Sequence, residues 1–116
     1  MLDKRQHRLL KLMEECNEVA HRASKQILFG KHEVQAGQDW TNAERLRAEV
    51  MDLLLCIRFC EREGHFEPIT HDDVTAHEVF ISAKIHKAIN IAVGAGNLSK
   101  DAHRGIAHGG EGKHGT

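Results

Sequence analysis

Two groups of carboxylates have the residue types and spacing for metal-dependent chemistry. Glu14, Glu15 and Glu18 form a Glu-Glu-x-x-Glu pattern, and Glu49 and Asp52 form a Glu-x-x-Asp pattern. Residues three or four apart share one face of a helix, so the carboxylates of each pattern point the same way. If the two helices pack antiparallel, four or five carboxylates converge and repel one another unless protons or divalent cations neutralise them. A ligand set of oxygens alone suits Mg²⁺ or Mn²⁺ rather than zinc.

The surroundings of the second pattern strengthen this interpretation. Residues from Val50 to Ile57 leave no clearly polar side on a helix, which predicts a helix buried on more than one side. A carboxylate in such a place is costly unless it is paired, protonated or bound to a metal. The alternative is that Glu49 lies at the rim of the core and pairs with Arg45 or Arg47.

The elements that position these carboxylates are three predicted helices. The first runs from Asp3, its N-terminal cap, to Phe29 and stops at Gly30. A loop follows, up to Trp40. The second helix begins at a capping box of Thr41 and Glu44 and ends near Glu63, before Gly64. The third reaches about Val93, and three residues are candidates for its cap: Asp72, Asp73 and Thr75.

The fold class is predicted to be all-α, because no stretch shows strand-like alternation. The second and third helices carry more apolar surface than one chain can bury. We therefore expect a helical bundle of the four-helix type, completed by homo-oligomerisation. Residues 1–98 form the helical domain, and residues 99–116 form a Gly- and His-rich tail that we expect to be flexible.

Composition narrows the class of protein further. The chain has 116 residues and a net charge of −1, whereas nucleic-acid binders usually carry a basic excess, so no nucleic-acid partner is expected. No apolar run approaches the ~18 residues that a membrane span requires, and the N-terminus is not a signal core, so we expect a cytoplasmic protein. The odd number of cysteines (Cys16, Cys56 and Cys60), all on apolar helical positions, predicts reduced, buried thiols rather than disulfides.

The two carboxylate patterns, in this order on two neighbouring helices, resemble the MazG-like all-α nucleoside triphosphate pyrophosphohydrolases. The resemblance covers about Leu9 to Val93. It implies an enzyme that uses Mg²⁺ to hydrolyse a nucleoside triphosphate to the monophosphate and pyrophosphate, and that works as a dimer or tetramer. It implies metal ligation by Glu15, Glu18, Glu49 and Asp52.

A spare carboxylate is needed to take the proton of the attacking water. The candidates for that role are Glu14 and Glu18. Glu14 matches the first position of the motif and is also a candidate to bind the metal or orient a water.

Substrate contacts are expected from basic and aromatic residues. Arg22 and Lys25 share a face with Glu18 and are candidates to grip the β- and γ-phosphates. Lys84 and Lys87 resemble a lysine pair on the third helix of the family. The remaining candidates are Asn90, for base or ribose, and Trp40, either stacked on the base or packed under the loop.

Three alternatives stay open at this point. Glu18-x-x-His21 matches the Glu-x-x-His pattern of di-iron carboxylate bundles, although that reading leaves Asp52 unexplained. Phosphoribosyl-ATP pyrophosphohydrolases carry similar acidic motifs. A non-enzymatic helical interaction module would carry the same acidic faces merely as solvated surface.

Overall fold

The computed structural model describes residues 1–99, and the chain is helical over most of that range. Its elements are α1 (Lys4–Phe29), α2 (Asn42–Arg62) and α3 (His71–Gly94). Between residues 1 and 99 there is no strand, only an isolated antiparallel bridge between Val34 and Thr41. The all-α prediction is confirmed. The tail predicted for residues 99–116 lies, from residue 100 onward, outside the described residues.

The ends of α1 and α2 follow local capping chemistry. Asp3 accepts a hydrogen bond from the main-chain N–H of Gln6, and the side-chain oxygen of Gln6 accepts one from the main-chain N–H of Asp3. Thr41 and Glu44 form the same reciprocal pair at the start of α2. Gly30 ends α1 at a φ of 85°, a left-handed conformation that disfavours residues with a Cβ. These predicted helix ends are confirmed.

The cap predicted for α3 is wrong by a few residues. Thr70 is the N-cap, and its hydroxyl accepts a hydrogen bond of 3.1 Å from the main-chain N–H of Asp73. The Asp73 carboxylate accepts one of 2.8 Å from the N–H of Thr70. Asp73 is therefore the third helical residue rather than the cap, and Thr75 lies inside the helix, where its hydroxyl donates to the carbonyl of His71.

The chain divides into two compact units, Met1–Pro68 and one that begins at Ile69. Within the first unit α1 and α2 pack antiparallel, because contacts join opposite ends of the two helices. Arg5 and Arg8, near the start of α1, bind the main-chain and side-chain oxygens of Glu63, just after α2. Asn42, at the start of α2, donates to the carbonyl of Gly30 at the end of α1. The antiparallel packing of α1 and α2, on which convergence of the carboxylates depends, is present.

The core of this unit is small. Cys56 and Cys60 are its buried apolar side chains, with Cys60 wholly inaccessible. The prediction of buried thiols is correct for these two and wrong for Cys16, which is exposed. Cys16 belongs to an apolar stripe of α1, with Met13 and Ile27, that does not face α2 in this chain. The face of α1 that meets α2 is more polar and includes Arg22, which is buried.

The loop between α1 and α2 is anchored by one buried residue, Asn42, which is 1% exposed. Its Nδ2 donates to the carbonyl of Gly30 at 2.9 Å and to Oε1 of Glu33 at 3.1 Å. Its main-chain N–H donates to the carbonyl of Glu33 at 2.9 Å. These hydrogen bonds therefore hold together the two ends of the loop that carries Trp40.

Replacing Asn42 with Ala tests this anchor. The variant removes two hydrogen bonds, to the Gly30 carbonyl and to the Glu33 carboxylate, and each such bond stabilises the fold by about 0.5–1.5 kcal/mol. We expect the free energy of unfolding, measured by urea titration, to fall by about 2 kcal/mol. The matched replacement of Asn17, an exposed residue of α1, should leave it nearly unchanged. Equal losses in the two variants would contradict the anchoring role.

In the second unit, no residue of α3 is buried. Its apolar side chains include Val79, Phe80 and Ile91, which are between 63% and 73% exposed. No helix among residues 1–99 has both the length and the apolar character to cross a membrane.

Candidate active site

Three carboxylates from two helices converge in the first unit. Glu15 of α1 and Glu49 and Asp52 of α2 each offer an oxygen, and these oxygens all lie within 4.8 Å of one another. Glu49 and Asp52 share a face because they are three residues apart on α2, and the antiparallel packing brings Glu15 opposite them. Glu15 and Glu49 are half-buried, while Asp52 is exposed. We call these three residues the carboxylate cluster.

The carboxylate cluster fits a small divalent cation. Mg²⁺ prefers six oxygen ligands at about 2.1 Å, which places oxygens on opposite sides of the ion about 4.2 Å apart. The three oxygens lie within 4.8 Å of one another, a limit somewhat larger than that separation. Three ligands from the protein would leave positions for water and for phosphate oxygens, as is usual for Mg²⁺.

Burial and mutual repulsion among the carboxylates dominate the electrostatics of the cluster. Burial raises the pKa of Glu49 above its ordinary value, and the negative charges of Asp52, Glu18 and Glu15 raise it further. Arg22 opposes these effects. A cation bound among the three carboxylates would relieve the same repulsion.

The other two predicted acidic residues lie outside the cluster. Glu18 is exposed, but it is close enough for its charge to raise the pKa of Glu49. Glu14 forms an ion pair of 2.7 Å with Lys11, and this pairing lowers the pKa of Glu14. The structure thus brings together three of the four expected ligands. It leaves Glu18 beside them and Glu14 engaged elsewhere.

Arg22 is the cation most closely associated with the cluster. It is 6% exposed, and its Nη1 has no hydrogen-bond partner within residues 1–99. A buried guanidinium nitrogen without an acceptor is costly, so an anionic ligand is its natural partner. The predicted proximity of Arg22 to the carboxylates is consistent with its influence on the pKa of Glu49.

A cleft of about 270 Å³ opens beside Glu49. Its lining combines cationic, polar and aromatic side chains: Arg22, Gln38, Asp39, Trp40, Arg45, Ala48 and Glu49. Trp40 is 55% exposed, so it is presented to the cleft and solvent rather than packed beneath the loop. We call this space the Trp40 cleft.

Sequence reasoning did not assign Gln38, Asp39 or Arg45 to a site. Arg45 precedes Glu49 by one helical turn, and that spacing could have predicted that Arg45 lies on the same face as Glu49. The alternative in which Arg45 or Arg47 neutralises Glu49 is not what the structure shows. Arg45 donates to Oε1 of Gln35, and Arg47 donates to the sulfur of Met51 at 3.6 Å.

None of the remaining predicted substrate contacts lines the Trp40 cleft, and three of them lie in the second unit. The ammonium of Lys25 lies over the ring of Phe29, 5.6 Å from its centroid, and Lys25 does not line the Trp40 cleft. Lys84, Lys87 and Asn90 are exposed on α3, and their part in the site stays a prediction. His21, on which the di-iron alternative depends, is exposed and lies outside the cluster, as does Glu18.

Comparison of the chain with family models, with curated proteins and with solved structures found no match in any of the three.

Proposed function

We propose that the protein hydrolyses nucleoside or deoxynucleoside triphosphates, with Mg²⁺ or Mn²⁺ as cofactor, to the monophosphate and pyrophosphate. The observation that carries the proposal is the convergence of Glu15, Glu49 and Asp52 from two helices. An all-oxygen set of this size suits these ions and leaves room for phosphate. The resemblance of the two carboxylate patterns to the MazG-like enzymes supplies the reaction class.

The chain's own residues have distinct roles in this proposal. Glu15, Glu49 and Asp52, joined by Glu18 from the neighbouring turn, would hold the cofactor, which would neutralise charge on the phosphate oxygens and lower the pKa of a bound water. The oxygen of the attacking water bonds to the α-phosphorus, and the bond from that phosphorus to the bridging oxygen breaks. Glu18, exposed beside the cluster, is the candidate to accept the proton of the water, whereas Glu14, the other candidate from the sequence, is paired with Lys11.

The Trp40 cleft is suited to the nucleoside. The indole offers a flat apolar surface on which a base can stack, and stacking on an aromatic side chain is worth about 1–3 kcal/mol per base. Gln38 and Asp39 line the same cleft and offer hydrogen-bond donors and acceptors for a base edge or a sugar hydroxyl. Arg22 lines this cleft and its charge acts on Glu49 of the carboxylate cluster, so it is the candidate to bind an oxygen of the α-phosphate.

We further propose that the protein is a cytoplasmic homodimer or homotetramer. The support is the apolar surface that one chain leaves exposed on each helix, such as Ile27 on α1, Leu55 on α2 and Phe80 on α3. Contiguous exposed apolar faces of this kind typically mark interfaces. Completion of a four-helix bundle by a second copy would bury them.

The proposal is tested by pyrophosphate release from a panel of canonical and modified dNTPs and NTPs and from phosphoribosyl-ATP. Each substrate is assayed with Mg²⁺ and with EDTA. We expect pyrophosphate from at least one nucleoside triphosphate with Mg²⁺ and none with EDTA. Orthophosphate in place of pyrophosphate would overturn the reaction class. Release from phosphoribosyl-ATP alone would identify the second pyrophosphohydrolase class, and no release at all would favour a binding module.

Mg²⁺ should also stabilise the fold through the same carboxylates. A ligand present at 100 times its dissociation constant stabilises the native state by about 2.7 kcal/mol. We expect Mg²⁺ to raise the melting temperature of the wild type but not of Glu49→Gln. Without metal, Glu49→Gln should melt at or above the wild-type temperature, because burial and repulsion oppose ionisation of Glu49. Equal Mg²⁺ shifts in both proteins would show that the ion binds elsewhere.

A further inference from the structure

A second cleft flanks the carboxylate cluster on the side away from Trp40. It measures about 250 Å³ and is lined by both Glu15 and Asp52, whereas Glu49 lines the Trp40 cleft. Two cations, Arg8 and Lys11, also line it. The cluster therefore lies between two spaces, so a ligand longer than the metal site can extend to either side of it.

A strongly basic cleft near the start of α1 shares two lining residues with the second cleft. Arg8 and Lys11 line both spaces, and the basic cleft measures about 740 Å³. Its lining is Lys4, Arg5, His7, Arg8, Lys11 and Glu63. With the histidine neutral, four positive charges face one negative charge. An anion in this space gains Coulomb energy, and the first turns of α1 add the positive end of the helix dipole.

The two cations that the clefts share are held in place before any ligand arrives. Arg8 donates from Nε to Oε1 of Glu63 at 3.0 Å, and its guanidinium lies 4.9 Å from the centre of the Phe59 ring. Lys11 is oriented by Glu14, whose Oε2 lies 2.7 Å from the ammonium. Neither cation has all of its donors occupied by these partners. Side chains fixed in this way lose less entropy when they bind an anion.

The Trp40 cleft has a different character. Its two arginines are balanced by Asp39 and Glu49, and it contains the indole. A nucleoside triphosphate has a matching polarity, with an aromatic base at one end and the β- and γ-phosphates at the other. One orientation sets the base against the indole and the outer phosphates against the cations. It places the base at Trp40, the α-phosphate at the carboxylate cluster and the outer phosphates toward the start of α1.

We propose that Lys11 and Arg8 form the subsite for the pyrophosphate half of the substrate, with Glu14 as the residue that positions Lys11. This inference rests on the proposed function. It assigns the leaving group to the start of α1 rather than to Lys25. The wider basic cleft beyond Arg8 and Lys11 provides the path by which pyrophosphate leaves.

The test is direct binding of inorganic pyrophosphate, measured by titration calorimetry in Mg²⁺ on the full chain. The variants are Lys11→Gln and Arg8→Gln, and the control is Lys31→Gln, which removes one positive charge from an exposed loop residue. Loss of one charge-assisted hydrogen bond weakens binding by about tenfold or more. We expect the dissociation constant of pyrophosphate to rise by about tenfold in Lys11→Gln and Arg8→Gln and to stay unchanged in Lys31→Gln. The side chain of Lys11 is 44% exposed, so Lys11→Gln should melt close to the wild-type temperature and its result does not depend on folding.

Each other outcome overturns a separate part of the argument. Equal dissociation constants in all four proteins, or no pyrophosphate binding by the wild type, would overturn the subsite even if nucleotides release pyrophosphate. Binding that depends on Lys11, in a protein that releases pyrophosphate from no nucleotide, would keep the subsite and overturn the proposed reaction. A matched titration with a nucleoside monophosphate should give the same affinity in wild type and Lys11→Gln. A tenfold loss there would assign Lys11 to the α-phosphate instead.

Discussion

Replacing Asp52 with Asn should lower kcat/KM for nucleoside triphosphate hydrolysis by more than about 100-fold. Even the outer partners of metal ligands typically cost 10–100-fold when they are removed. Asp52 contributes an oxygen to the carboxylate cluster directly and lines the cleft on the Lys11 side. The amide keeps the shape of the side chain but removes one of the negative charges that would hold the proposed Mg²⁺. Pyrophosphate release at saturating Mg²⁺ measures the loss.

The matched control for this variant is Asp72→Asn, which makes the same chemical change at an exposed position in the first turn of α3. Its kcat/KM should stay within a few-fold of the wild type. Asp52→Asn should fold at least as well as the wild type in the absence of metal, because Asp52 is exposed and raises the pKa of Glu49. Activity in Asp52→Asn equal to that of the control would show that the cluster is a solvated acidic face without a catalytic role.

Helix ends were readable from the sequence because caps are local. The Thr41–Glu44 box sits where the pattern placed it, since one hydroxyl, one carboxylate and two N–H groups within four residues suffice. The same rule failed at α3, where Thr70 with Asp73 and Thr75 with Glu78 are equally good boxes by sequence. Which of two such boxes begins the helix is not encoded in either pattern alone.

The convergence of the carboxylates was also predictable from the sequence, but which of Glu14 and Glu15 joins the cluster was not. The three-residue spacing of Glu49 and Asp52 and the antiparallel packing of α1 and α2 bring the patterns together. Glu14 and Glu15 are adjacent, so about 100° of helix rotation decides which of them faces α2. That rotation depends on contacts distant in sequence, such as Arg8 with Glu63, and these place Glu15 in the cluster.

The loop residues of the Trp40 cleft could not be assigned from the sequence. Gln38 and Asp39 have no periodic pattern, and their position depends on the buried side chain of Asn42, which joins Gly30 and Glu33 across the turn. Trp40 was identified by its chemistry alone. The sequence also did not distinguish Arg22 from Lys25. Both were expected to bind the phosphates, but only Arg22 lines the cleft.

Replacing Arg22 with Gln should raise KM for the nucleotide and lower kcat/KM by about 10–100-fold. The guanidinium is buried beside Glu49 and lines the Trp40 cleft, and its Nη1 has no partner within residues 1–99. A hydrogen bond to a charged group is worth about 1.5–3 kcal/mol, which corresponds to that range in affinity. Arg22→Lys keeps the charge but loses the planar fork and should fall between the two. Lys25→Gln should have the smaller effect, because Lys25 lies over Phe29.

Measuring Mg²⁺ binding distinguishes phosphate binding by Arg22 from a merely structural role. Arg22 lowers the pKa of Glu49, so its positive charge competes with a cation for the same carboxylates. Without it the cluster is more negative, and the Mg²⁺ concentration that gives half of the thermal stabilisation should fall while KM for the nucleotide rises. A variant that had only lost its packing would bind both ligands more weakly. If Mg²⁺ and nucleotide affinity decline together in Arg22→Gln, Arg22 supports the helix pair rather than the phosphate, and another cation must bind the substrate.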